Sequence, residues 1–225
     1  MLGSQTADRL VRRSSGEDAA LYIRRLIFDG RLAPGERVPQ DEIARALGIS
    51  RIPVREALIA LERDGWVTIE LHRGAFVTAL DAQTVHDHYE LYGLAYGFAV
   101  RRAMERAPAG LSSRLDKTAR SVSSTGDAGV VQALVLEFHE TVLRAAGSPR
   151  VRVILRALAG LVPGNFFELV PAAIDVQRRG LAAIVRAVKR GDGARAASEY
   201  ERMMRRQGDL VVEVFRARGV IGERG

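Results

Sequence analysis

A periodic apolar pattern begins near Glu17. Ala20, Ile23, Leu26 and Ile27 recur at helical spacing and Gly30 closes the run, which predicts a first helix. "RLAPGERVPQ" carries Pro34, Gly35 and Pro39 and reads as a turn-rich connector. "QDEIARALG" predicts a short second helix with Ile43, Ala46 and Leu47 inward and Gly48 as its stop. After the turn Gly48-Ile49-Ser50, residues Val54, Ala57, Leu58 and Leu61 form one apolar stripe of a third helix, with Ser50 placed as its N-cap. Two short β-like runs, "WVTIEL" and "GAFVTA", are joined by "HRG" and predict a hairpin. This order is that of a winged helix-turn-helix.

From Asp81 onward the pattern is helical throughout. Asp81 is placed to cap a long helix running through Val85, Leu91, Leu94, Phe98 and Val100 to about Arg106. Five further helical segments follow, with breaks at Pro108, Gly126, Gly147–Pro149, Pro163–Gly164 and Gly191–Gly193. A bundle of about six helices is the simplest packing for them. The expected fold class is mainly α: an N-terminal winged helix-turn-helix followed by an all-α helical-bundle domain. The expected boundaries are a flexible arm over 1–16, the winged helix over 17–78, a linker over 79–84, the helical domain over 85–218 and a tail over 219–225.

Composition narrows the chemistry. The chain has 225 residues, a formal net charge of +7 and no cysteine. Disulfides, thiolate metal sites and cysteine nucleophiles are therefore excluded. No apolar run approaches the ~18 residues of a membrane span, and the N-terminus lacks the apolar core of a secretory signal, so the expected location is cytoplasmic. No P-loop, GxSxG, HExxH or GxGxxG context points to an enzyme. The basic excess fits an anionic partner such as nucleic acid.

One proline locates that partner. Pro53 stands in the first turn of the third helix, where a missing N–H is cheap because no intrahelical acceptor exists there. Arg51 and Arg55 are four residues apart and project from one face, opposite the Val54–Leu58 stripe. Two guanidiniums at the exposed start of the second helix of a helix-turn-helix suit guanine edges in the major groove. Ser50 and the helix N-terminus suit a phosphate, and Arg73-Gly74 at the hairpin tip suits the minor groove.

The stretch containing "PGERV", "LGISRIPVREAL", "LERDGWV" and "RGAFV" resembles the DNA-binding domain of GntR-type bacterial transcription regulators over residues 18–78. The resemblance implies a homodimer on a short palindromic operator, most often a repressor. It places Ser50, Arg51, Pro53 and Arg55 at the contacting end of the recognition helix and Arg73 and Gly74 in the wing. Further on, "LEFHETVLRAAGSPRV" and "AIVRAVKRGDGARAASEYERMM" resemble blocks of the FCD effector domain carried by one GntR subfamily.

Many FCD domains hold a divalent metal with one Asp and three His. Here the resemblance matches the first His to His139, but the Asp position to Val135 and the other two His positions to Leu181 and Met203. The arginine that often grips the effector corresponds to Tyr92, and the acidic residue one turn on to Tyr96. A lone imidazole does not hold a divalent cation against water, so no metal or cofactor is expected. An apolar pocket with a few hydroxyls suits a lipid-like effector such as a fatty acid or an acyl thioester, with Phe166 and Phe167 near the same end. The alternative is a metal-dependent sensor of a small carboxylic acid.

Overall fold

The computed structural model describes residues 14–106, 108–162 and 164–221. The expected arm falls outside the described residues up to position 13, as does the tail from position 222. Ten helices and one hairpin occur among the described residues. The N-terminal part comprises α1 (Ser15–Phe28), α2 (Gln40–Leu47), α3 (Arg51–Arg63), β1 (Val67–Glu70) and β2 (Gly74–Val77). The first helix starts within the stretch expected to be an arm. Ser14 accepts from the Glu17 amide while the Glu17 carboxylate accepts from the Ser14 amide, a reciprocal capping box.

The α3 stripe is buried as its spacing predicts, and Gly48 ends α2 in the left-handed conformation. In α2, Ala44 rather than Ala46 faces inward with Ile43, and Leu47 is half-buried. Three-residue spacing is ambiguous over so short a helix, and packing against α3 decides which face is covered. The connector before α2 does more than turn. Gly35 and Val38 donate to the carbonyls of Val77 and Ala75, and Glu36 accepts from the Val77 amide, so the loop forms a third edge beside β2. β1 and β2 pair antiparallel with Val67 opposite Val77 and Glu70 opposite Gly74.

The second part comprises α4 (Ala82–Arg106), α5 (Leu111–Ser124), α6 (Ala128–Ala146), α7 (Pro149–Leu158), α8 (Phe166–Leu169), α9 (Ala173–Lys189) and α10 (Gly193–Ala217). The one-turn α8, opened by the Asn165 side chain, adds a seventh helix to the expected six. Asp81 caps α4 by accepting from the Thr84 amide. No helix among the described residues is long and apolar enough to cross a membrane.

The longest helix contact runs between α4 and α10. Two glycines permit it: a β-carbon at Gly93 would stand 2.9 Å from the Glu201 Cα, and one at Gly97 3.3 Å from the Ala197 Cβ. Gly93→Val is expected to force these helices apart and lower stability by about 1–3 kcal/mol or more, read as a shift in the urea midpoint. An unchanged midpoint would show that the helix pair yields freely. Leu91 and Leu94, placed on the apolar pattern of α4, are 55% and 49% exposed.

The two parts also meet through contacts beyond the covalent connection. Phe215, near the end of α10, packs edge-on against Phe28 at the end of α1, with ring centroids 5.5 Å apart. Arg218 lies 4.2 Å over the Phe28 ring and pairs with Asp29 at 3.0 Å. Leu80 in the linker bridges to Ile221.

Candidate functional sites: a nucleic-acid face and a helical-domain cavity

The start of α3 and the wing open on one shallow concavity. Ser50 occupies the N-cap with extended backbone, but its hydroxyl makes no capping bond and is left exposed. Pro53 sits in the first turn, half-buried, as the sequence requires. Arg51 and Arg55 are both exposed and line the concavity. Arg51 is not free: its guanidinium grips the Asp41 carboxylate of α2 through two contacts, at 2.5 and 2.8 Å.

Arg73 at the tip is ion-paired with Glu70 and lies 5.5 Å over the Phe76 ring. Gly74 has φ +109, and a β-carbon there would meet Arg37 Nε at 2.9 Å. The backbone conformation requires glycine, and the absence of a β-carbon lets the Arg37 guanidinium lie close against the wing. Arg37 and Arg45 also line the concavity. Sequence reasoning missed both, since neither belongs to the third helix or the hairpin tip. Residues 15–78 contain nine arginines and ten carboxylates, a formal net charge of −1. The four arginines share the concavity with Asp41, Glu42 and Glu70, so the positive charge sits in the individual guanidiniums and not in the domain as a whole.

The second site lies in the helical domain. A half-open cavity of about 190 Å³ is bounded by α4, α6, α9, α10 and residues 158–162, 164, 166 and 167. Of the expected pocket residues, Tyr92, Val135 and His139 line it, together with Phe166 and Phe167. Tyr96 does not; its ring is buried behind His139, with centroids 4.3 Å apart, and stacks on Tyr200 at 5.2 Å. Leu181 and Met203 are buried in the core and outside the lining. From α9 and α10 the cavity receives Gln177, Met204 and Gln207 instead. Gln177 stands one helical turn before Leu181. The register is set by how α9 and α10 rotate against the bundle, which local spacing does not encode.

This chemistry does not fit a divalent metal. No group of three or more His, Asp or Glu residues among the described residues could hold one. His88 lines the cavity beside His139, but both are drawn toward the neutral form by burial.

Burial alone pushes His139 down to about 3. Above the ordinary histidine pKa of ~6.5 the ring is neutral whether the chain is folded or not, so no pH dependence arises there. Below it, the unfolded chain binds a proton that the folded chain excludes. Stability should then fall with pH by up to ~1.4 kcal/mol per unit from this residue, with His88 adding a decline of the same sign. His139→Gln should flatten the profile between about pH 6.5 and 5, measured by urea unfolding. A profile parallel to that of the native chain would show that His139 is not held neutral.

A winged helix with arginines at the start of its recognition helix, joined to an all-helical domain with a half-open cavity, is the architecture of a regulator class that couples a DNA-reading head to a second domain. Residues 15–77 match the bacterial regulatory proteins of the gntR family, and residues 81–206 match the FCD domain. The chain belongs to the gntR family of bacterial regulatory proteins and carries an FCD domain, and it spans less than two thirds of the length of the first curated relatives it matches.

The uncharacterized HTH-type transcriptional regulator MT0049 of Mycobacterium tuberculosis is 36% identical over 151 residues, 67% of this chain and 62% of that protein. A probable D-xylose utilization operon transcriptional repressor of Paenarthrobacter nicotinovorans is 32% identical, over 63% of each chain. Among solved structures, E. coli McbR/YncC shares the fold with a TM-score of 0.61 at 17% identity, covering 92% of this chain and 99% of that one.

Proposed function

We propose that the chain is a homodimeric repressor that binds a palindromic operator and changes its DNA affinity when an effector occupies the His139 cavity. The observation that carries the DNA reading is the Arg51–Arg55 face at the start of α3, flanked by a wing whose Gly74 only glycine satisfies. Paired recognition helices on half-sites one turn apart read a palindrome. The exposed Leu91 and Leu94 of α4, and Val153 and Ile154 of the adjoining α7, support pairing of two copies through the helical domain.

A route from cavity to DNA face runs through Arg24 of α1. It is ion-paired with Asp64, the C-cap of α3, and its guanidinium lies against Gly160, where a β-carbon would meet Nη1 at 3.1 Å. Gly160 also lines the cavity. An effector that moves this segment therefore acts on the far end of the recognition helix, which is the differential contact that allostery needs.

The apolar wall of Val135, Phe166 and Phe167 supports an effector with a hydrophobic body. The fatty acid metabolism regulator of Vibrio cholerae matches over only 53 residues, too few to span the helical domain, so it does not bear on the effector. The cavity volume favours a body much shorter than a long acyl chain.

The test is selection of duplexes from a random library, followed by titration at two salt concentrations and sedimentation of the complex. The expected result is an inverted repeat bound by two copies, with affinity falling steeply as salt rises. Failure to enrich any sequence would overturn operator recognition. One copy per duplex would overturn the dimer.

A further inference from the structure

Three polar atoms in the wall of the His139 cavity have no hydrogen-bond partner among the described residues. They are Nε2 of His139, Oε1 of Gln132 and Nε2 of Gln177. All three residues line the cavity, and His139 and Gln177 are over nine-tenths buried. Gln177 already accepts from Gln207 Nε2 through its oxygen, so its own amide nitrogen is the atom left without a partner. Buried polar groups are nearly always satisfied, and each exception calls for a partner. An acceptor, a donor and an imidazole nitrogen, all on residues that line one cavity and all closed off from it in the free protein, make a recognition set that small side-chain rotations would open to a ligand.

The same wall carries no formal charge. No Lys, Arg, Asp or Glu is among its described lining residues. Tyr89 and Tyr92 stay protonated because burial raises them. A carboxylate seated against this wall would give up water and gain no counter-charge, which disfavours it against a neutral group of the same shape. An alkane chain would leave the three polar atoms unmatched. The remaining surface is aromatic, from His88, Tyr92, Phe166 and Phe167, and rings pack on rings by offset and edge contacts. As for size, an apolar cavity of about 150 Å³ admits benzene, so this one admits a ring with a small substituent.

We propose that the cavity receives a small uncharged molecule that joins a planar ring to a hydrogen-bonding edge with both donor and acceptor, as in a carboxamide or lactam. This rests on the effector reading above and replaces the metal-bound carboxylate with a neutral ligand. Gln132 accepts from the ligand N–H, Gln177 donates to its carbonyl, and neutral His139 completes the set.

The test uses the full-length protein and four probes near pH 7: benzamide, the isosteric but anionic benzoate, the apolar toluene, and citrate with Zn²⁺. Binding is read by calorimetry and by proton NMR of the aromatic residues. Benzamide should bind saturably with Kd on the order of 1 mM, the range for so small a ligand. Benzoate should bind at least about 30-fold more weakly. Gln132→Leu should weaken benzamide about tenfold with no loss of stability in the free protein, because the buried oxygen it removes has no partner to lose. Val135→Trp should fill the cavity and abolish binding of every probe.

Benzoate or zinc citrate binding as tightly as benzamide would overturn the neutral class while leaving the cavity a ligand site. Toluene binding as tightly would show that the polar atoms recognise nothing, and would also overturn the proposal. No saturable binding of any probe to the native protein would overturn both the ligand class and the effector reading. Benzamide binding that leaves affinity for the selected operator unchanged would support the ligand class and overturn the effector reading alone.

Discussion

Phe215→Ala should lower the unfolding free energy by about 3–5 kcal/mol, the range for removing a fully buried phenylalanine. The side chain is wholly enclosed and sits where α10 meets α1. Its loss leaves a cavity with Phe28 on one side, and Phe28 is itself held by Arg218 on another face. The site cannot collapse without moving the DNA-binding domain relative to the bundle. The urea transition should therefore fall in midpoint and also broaden, as two parts begin to unfold separately. Amide exchange in α1 should rise more than in α4. Arg218→Ala is the matched control: it removes a partly exposed cation from the same ring and should cost under ~2 kcal/mol. A loss below about 1 kcal/mol for Phe215→Ala would mean the junction is not packed in solution.

The second large effect is on DNA. Arg51→Ala should weaken the selected operator by about 1–3 kcal/mol, roughly 5- to 150-fold, with a much smaller effect on an unrelated duplex. The structure sharpens the expectation through Asp41. In the free protein that carboxylate holds the guanidinium through Nε and Nη2. DNA must share Arg51 with it or displace it. Asp41→Asn should then act in the opposite sense on unrelated DNA, raising affinity for phosphate while the operator gains little. The ratio of operator to unrelated binding, measured at one salt concentration for both variants, is the decisive quantity. Operator affinity unchanged by Arg51→Ala would remove that side chain from base recognition.

Much of the DNA-binding part was legible because its signals are local. The Val54–Leu61 stripe, Gly48 and Pro53 each say where a helix runs or stops without reference to distant residues. The Arg37 contact with Gly74 was not legible, since it joins a connector to a hairpin tip through space. The two halves of the cavity differ in the same way. Val135 and His139 lie one turn apart on α6, so their shared face follows from spacing. Gln177 and Gln207 reach the cavity only because of how α9 and α10 are rotated in the bundle, and a register one turn off selects Leu181 and Met203. A signal was present: Gln177 lies beside Val176 and near Leu181, and Gln207 lies between Met204 and Val211, so each is a polar residue within an apolar helical stripe. Such a residue faces either a partner or a cavity.

The contact between Phe28 and Phe215, together with the Leu80–Ile221 bridge, sets a limit on protein engineering. Regulators of this design invite chimeras, in which a new sensing domain is spliced to an established DNA-reading head. The apparent splice point is the short linker between Val77 and Ala82. A cut there would leave Phe28, Asp29 and Gly30 facing a foreign helix end, with the Arg218 carbonyl, 2.8 Å from a β-carbon at Gly30, no longer in place. A working graft would have to carry the last turn of α10 through Ile221 with the DNA-reading head, so the exchangeable module is discontinuous in sequence.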